Sequence, residues 1–359
     1  MTEVRANTAA GGQASESAMK VLVTGGAGFI GRWVVERLLR DGHRVRVLDD
    51  YSNGRKENLR ALEGHPGFLG AVDGDIKDVR CLEGIFAEGP WDLVFHLAAS
   101  IHVQKSIDDP EPTFRNDAEG TFRVLEQVRR QYFTLNGLDP DARAFDFDRD
   151  VPRLKDRRPR VACMSTCMVY DLAGGAAIQE THPYRPASPY AASKIASDML
   201  ALSYFHSYRL PVTVVRPFNT YGPYQKSNSE GGVVSIFLKR DLAGEPLLVK
   251  GAGTQTRDLL YVEDCADFVV RAALEPKAEG HVINAGTGSD VSINELARLC
   301  CSPGNAVTHV AHDHPQAEIA RLLCDARKAR EILGWTPNTS LEQGLAKTRA
   351  WLGDNRWAW

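Results

Sequence analysis

A short apolar run, Lys20-Val21-Leu22-Val23-Thr24, passes directly into Gly25-Gly26-Ala27-Gly28-Phe29-Ile30-Gly31, and a helical pattern follows from Arg32 to Arg40. Strand, glycine turn and helix in that order make a phosphate-binding corner. The glycines let the backbone close tightly, and a pyrophosphate can rest on the unpaired amides of the helix N-terminus. Gly25, Gly28, Phe29, Ile30 and Gly31 are therefore candidate cofactor contacts. A second strand, Arg44-Val45-Arg46-Val47-Leu48, ends in Asp49. A carboxylate there can accept bonds from adenosine ribose hydroxyls and repels a 2′-phosphate, so NAD is expected in preference to NADP.

Further apolar runs precede Asp73-Gly74-Asp75-Ile76 and occupy Asp92-Leu93-Val94-Phe95-His96-Leu97-Ala98-Ala99, alternating with helical stretches at Glu111 to Arg130 and Tyr190 to Tyr208. That alternation predicts an α/β fold, a Rossmann-like doubly wound parallel sheet. The texture changes after Val212-Thr213-Val214-Val215-Arg216. We expect a disordered tail over 1–19, a NAD-binding Rossmann domain over 20–216, and a smaller C-terminal substrate-binding domain making up most of 217–359. About 245–274 should return to the first domain, because Leu259 to Asp264 reads as a short strand and helix cap. The interval 132–159 is rich in Asp, Arg and Pro and long for a connection, which fits a lid, an interaction surface or disorder.

Apolar residues make up 43% and charged ones 25%, as in ordinary soluble enzymes. A net charge of -3 and a pI near 6.4 give no electrostatic case for a nucleic-acid or membrane partner. No apolar run approaches the roughly 18 residues of a membrane span, and residues 1 to 18 lack the apolar core of a signal peptide. Seven cysteines, an odd number without a secretory signal, argue for reduced thiols and a cytoplasmic setting. Neither Cys300-Cys301 nor Cys163-x-x-x-Cys167 has zinc-site spacing, and His309-x-x-His312-x-His314 lacks a supporting carboxylate or helical register, so no metal is expected.

Ser188-Pro189-Tyr190-Ala191-Ala192-Ser193-Lys194 places a tyrosine and a lysine four apart just after a proline, on one face of a helix. An ammonium beside a phenol favours the phenolate, and a base poised near neutrality suits removal of a proton from a sugar hydroxyl.

Taken together, these segments resemble the extended short-chain dehydrogenase/reductases, specifically the nucleotide-sugar epimerases and dehydratases. The resemblance spans roughly 20 to 350. It rests on Thr24 to Gly31, Asp49, Asp75-Ile76, His96 to Ala99, Ser165-Thr166, Tyr190 to Lys194, Arg216-Pro217-Phe218-Asn219 and Arg257-Asp258 in the family's order. It implies that Asp75 and Ile76 flank the adenine, that Leu97, Ala98, Ala99 and His102 contact the cofactor, and that Lys194 also holds the nicotinamide ribose. Thr166 would share the sugar 4-hydroxyl with Tyr190, Met168 would border the sugar, and Asn219 and Arg257 would hold the diphosphate of a UDP- or dTDP-hexose. The helical stretches before Arg130 and after Tyr190 match those that pair in family homodimers. In the 4,6-dehydratases Asp and Glu follow the Thr, whereas here Cys167 and Met168 do. This favours a C4 epimerase. A dehydratase remains the alternative, since relatives that release a 5,6-alkene carry Cys at that point, which makes Cys167 a candidate acid with Glu230 or Asp117 as base. A non-catalytic dinucleotide-binding regulator is the remote alternative. Asp117 stands where the family has Asn, and the family's arginine is missing from His312-Asp313-His314-Pro315-Gln316.

Overall fold

The structure is a computed structural model that describes residues 18–141, 144–171, 175–227, 232–311 and 319–359. Most of the expected N-terminal tail, as well as Glu230 and 312–316, lies outside the described residues. Val21, Leu22 and Val23 are buried without polar alternation, the mark of a strand covered on both faces. Six strands, β1 (Lys20–Thr24), β2 (Arg44–Asp49), β3 (Phe68–Asp73), β4 (Leu93–His96), β5 (Arg160–Met164) and β6 (Val212–Pro217), join Val282–Ala285 in one sheet. Every pairing in it is parallel, and from one edge it runs Val282–Ala285, β6, β5, β4, β1, β2, β3. Val23 lies opposite Val47 on one side and Phe95 on the other. The order therefore reverses between β1 and β4, which opens a crevice above their C-terminal ends.

Two apolar layers cover the sheet. On one face Val34, Val35 and Leu38 of the helix Phe29–Arg40 pack with Phe268 and Val269 of the helix Val262–Leu274. On the other, Leu82, Val124, Val128 and Ala201 come from the helices Val79–Ala87, Gly120–Leu135 and Pro189–Tyr208. Each of these valine, leucine and phenylalanine side chains contributes roughly 1.5–3 kcal/mol by leaving water. A separate core holds Phe237, Leu296 and Leu352, from the helices Val233–Leu242, Ile293–Cys300 and Leu341–Asp354, against Tyr261 and Val249.

Three expectations change. The chain that rejoins the large sheet is 262–285, not about 245–274: Leu247–Lys250 pairs with Val307–Val310 away from it, and Val282–Ala285 becomes its edge strand. The helical stretch Glu111 to Arg130 is interrupted, since Pro110–Phe114 gives way to a π-turn at Arg115–Glu119 before Gly120–Leu135 begins. The interval 132–159 is not without structure where it is described. Phe145 stacks on Phe133 with centroids 5.3 Å apart, and Asn136 and Asp156 exchange bonds of 2.9 and 2.8 Å that tie its ends together.

An aromatic clamp joins the glycine-turn helix to the C-terminal part. The Arg32 guanidinium lies 4.3 Å from the Trp33 ring centroid and 4.2 Å from that of Tyr224, which in turn packs 4.6 Å from Trp351.

Candidate active site

The glycine turn leaves no room for side chains at two positions. A Cβ on Gly31 would stand 2.1 Å from the Gly25 carbonyl oxygen, and one on Gly25, whose φ is +73°, would stand 2.5 Å from the Ala98 nitrogen. Gly28 caps the helix in extended conformation. The buried Asp49 carboxylate accepts from the Ala27 N–H at 2.8 Å and the Tyr51 N–H at 2.9 Å, which locks the turn to the end of β2. Burial pushes this carboxyl above its ordinary value, against the pull of those bonds. Behind the turn, His96 sits between the Thr24 and Thr121 hydroxyls at 2.9 Å each. Burial, with the Lys194 charge, pulls it down to about 3, so the imidazole is neutral.

The opposite wall comes from the end of β5 and the helix Pro189–Tyr208. Ser188 caps that helix by accepting from the Ala191 N–H at 3.2 Å, and Pro189 starts it. Tyr190 and Lys194 follow on one face, both buried. Thr166 accepts from the Met168 N–H at 3.2 Å, and its side chain hydrogen-bonds the Tyr190 phenol. Lys194 Nζ donates to the Met164 carbonyl at 2.6 Å. Beneath them the Ser165 hydroxyl donates to Asp198 at 2.6 Å, and the fully buried Arg216 donates to the same carboxylate oxygen at 2.6 Å. This ion pair fixes the Ser165-Thr166 corner from below.

The Tyr190 phenol departs from expectation. Burial pushes it above its ordinary value, the Asp117 charge adds to that, and the Thr166 bond opposes both. In the protein alone, desolvation outweighs the depression that Lys194 was expected to cause.

Both walls face one cleft of about 270 Å³ at the sheet reversal. Gly25, Gly28, Phe29, Ile30, Gly31, Asp49, Ile76, Leu97, Ala98 and Ala99 line it together with Thr166, Tyr190 and Lys194. The other expected residues stand outside this lining. Asp75 pairs with Lys77 at 2.9 Å, and His102 caps the helix Val103–Asp108. Cys167 and Met168 lie on a single 3-10 turn, with the Cys167 thiol buried and pushed up to about 12. Asn219 donates to the Asp258 carbonyl at 3.4 Å, and Arg257 to the Thr256 and Ile319 carbonyls at 2.8 Å. Sequence reasoning missed Asn116, Ser165, Phe218 and Thr220 as lining. Ser165 and Phe218 lie inside motifs that were read, and Asn116 and Thr220 adjoin Asp117 and Asn219, so the motifs themselves were the available signal. Among the described residues no cluster of His, Cys, Asp or Glu could hold a metal, and no helix is long and apolar enough to cross a membrane.

The cradle that a Cβ would fill, the helix N-terminus and the Asp49 carboxylate suit a dinucleotide. A family model described as GDP-mannose 4,6 dehydratase matches residues 22–348. The chain belongs to that family. Its members are extended short-chain dehydrogenase/reductases that include nucleotide-sugar epimerases and dehydratases. The chain is 38% identical to a UDP-glucose 4-epimerase of Mycolicibacterium smegmatis, over 92% of this chain and 97% of that one. It is similar in structure to Pal from Bacillus thuringiensis, with a TM-score of 0.83 and 49% identity over 94% of this chain and 99% of that one. A dTDP-glucose 4,6-dehydratase of Streptomyces venezuelae, DesIV, solved with NAD and TYD bound, gives a TM-score of 0.80 and 29% identity over 95% and 99%.

Proposed function

We propose that this family member is an NAD-dependent nucleotide-sugar C4 epimerase that works through a 4-keto intermediate on a UDP- or dTDP-hexose. The observation that carries the reading is one cleft bordered by both the glycine cradle and the Thr166, Tyr190 and Lys194 side chains, without a carboxyl at the two positions after Thr166. NAD is the cofactor, and when bound it accepts the C4 hydride and returns it. Gly25, Gly28, Gly31 and the helix N-terminus hold its pyrophosphate, and Asp49 its ribose. Tyr190 takes the proton of the 4-hydroxyl, and Thr166 holds that hydroxyl in line. Asn219 and Arg257 receive the diphosphate, and the sugar turns over before the proton is given back from Tyr190.

An epimerase needs no further acid or base. A 4,6-dehydratase must move a C5 proton and a C6 oxygen, which neither a thioether nor a buried thiol held near 12 does readily at neutral pH. Dehydratase relatives such as DesIV keep elimination as the second reading. We also infer a homodimer, from the likeness of the helical stretches before Arg130 and after Tyr190 to those that pair in the family, and a reducing, cytoplasmic setting, supported by seven cysteines, an odd number, none paired among the described residues.

The test is incubation with UDP- and dTDP-hexoses in deuterated water, with products read by NMR and mass. An unchanged mass, an inverted C4 and no deuterium at C5 are expected. Loss of one water would remove the epimerase reading.

A further inference from the structure

A second chamber adjoins the cleft. It holds about 90 Å³ and shares Phe29, Asn53 and Ile101 with the cleft lining. Tyr224, Trp351, Trp357 and Ala358 line it as well. The last two belong to the short turn Arg356–Ala358, which follows the helix Leu341–Asp354. That turn is tied to the glycine corner by two routes. By the first, Arg55 Nη1 donates to the Trp357 carbonyl at 3.5 Å, and the Arg55 N–H donates to the Ala27 carbonyl, within the glycine turn, at 3.2 Å. By the second, the buried Ser227 hydroxyl donates to the Ala358 carbonyl at 3.3 Å, and the Trp357 ring centroid lies 5.9 Å from that of Trp351 and 6.5 Å from that of Tyr224. Trp33 Nε1 donates to the Pro223 carbonyl at 3.2 Å, so the residue before Tyr224 is bonded to the glycine-turn helix itself. Gln225, the residue after it, donates through Nε2 at 3.0 Å to the carbonyl of Thr220, which lines the cleft. Tyr224 has a φ of +70°, a backbone state that bulky residues rarely adopt, and its ring packs on Arg32 and Trp351.

We propose that the turn Arg356–Ala358 is a latch that keeps the dinucleotide in the cleft between the outgoing and the returning hydride transfer, with Trp357 as its positioning residue. The proposal rests on the redox-neutral reaction above, in which the hydride taken from C4 returns to the same sugar. If the reduced cofactor left in between, the 4-keto sugar would be stranded as an oxidised product. Slow release is therefore part of the chemistry. Trp357 and Ala358 close the chamber that abuts the cofactor cradle, and the ties through Arg55 and Tyr224 hold the glycine turn and the segment 223–227 together around it. Loading of NAD requires the reverse motion, and the latch is built to yield. Trp357 is 45% exposed, its bond from Arg55 is long, and the Tyr224 backbone can relax once the ring contacts part. Trp357 does not line the cleft, so it acts through Tyr224 and through the loop after β2 that carries Arg55.

The full-length protein is loaded with NAD, freed of excess and mixed, without sugar, with an NAD-reducing dehydrogenase and its substrate in excess. The absorbance of the NADH then formed times the release. Wild type is compared with Trp357→Ala, Arg55→Met and, as the conservative replacement, Trp357→Phe, and the unfolding midpoint without NAD is recorded for each. Trp357→Ala should release NAD about tenfold faster than wild type, Arg55→Met should change in the same direction, and Trp357→Phe should stay near wild type. With the active nucleotide sugar, Trp357→Ala should slow over successive turnovers and recover when NAD is added, to which the wild type is indifferent. Release at the wild-type rate in both Trp357→Ala and Arg55→Met, or a lowered unfolding midpoint with unchanged release, overturns the latch. Because release is timed without sugar, this result is separate from whether the sugar product is an epimer or a dehydrated compound.

Discussion

At Tyr190 the surroundings pull in opposite directions. Burial and the Asp117 charge hold the proton on, and the Thr166 hydroxyl eases it off. His96, between the Thr24 and Thr121 hydroxyls, is held neutral by burial, and this has a consequence for stability. Its value in the folded protein, about 3, lies below the 6.5 of an unfolded chain, so the unfolded state binds the proton first as the solution is acidified. The favourable contribution is complete above 6.5 and is lost as pH falls through the window down to 3, by up to about 5 kcal/mol. His96→Gln should flatten the denaturation free energy across that window, as measured by urea titration at a series of pH values. An unchanged slope would show that other groups dominate acid unfolding.

Among the elements, the helix Gly120–Leu135 and the interval after it form a unit. Phe133 is 3% exposed and is packed by Phe145 and Tyr208. Phe133→Ala should cost about 3–5 kcal/mol and open 136–157 to limited proteolysis, while kcat stays near wild type because none of the described residues of this interval lines the cleft. Loss of activity in a folded variant would contradict that separation. The same elements show what was legible beforehand. The glycine turn and the Tyr190-Lys194 pair could be read because their chemistry lies within a few residues of sequence. The π-turn could not, since one extra residue per turn is hidden in a pattern that otherwise stays helical from Glu111 to Arg130. Val282–Ala285 escaped notice because four residues carry too little periodicity to announce a strand. The raised Tyr190 phenol arises from burial and from the charge of Asp117, far away along the chain, which no local spacing encodes.

At the scale of the whole molecule, Phe122 is 38% and Met199 41% exposed on the two helices expected to pair between copies. Sedimentation equilibrium should give twice 39.5 kDa, and Phe122→Glu combined with Met199→Glu should halve it. A wild-type protein at the mass of one chain would remove the homodimer.

The edge strand Val282–Ala285 also bears on how the chain is made. β6 receives its outer partner from a segment translated long after it, and Ala329 and Trp335 of the same apolar layer emerge later still. A nascent chain that has reached only the end of β6 carries an uncovered row of amides and carbonyls flanked by Val212 and Val214. That is a sticky margin, open to pairing with a neighbouring chain until nearly the whole message has been read.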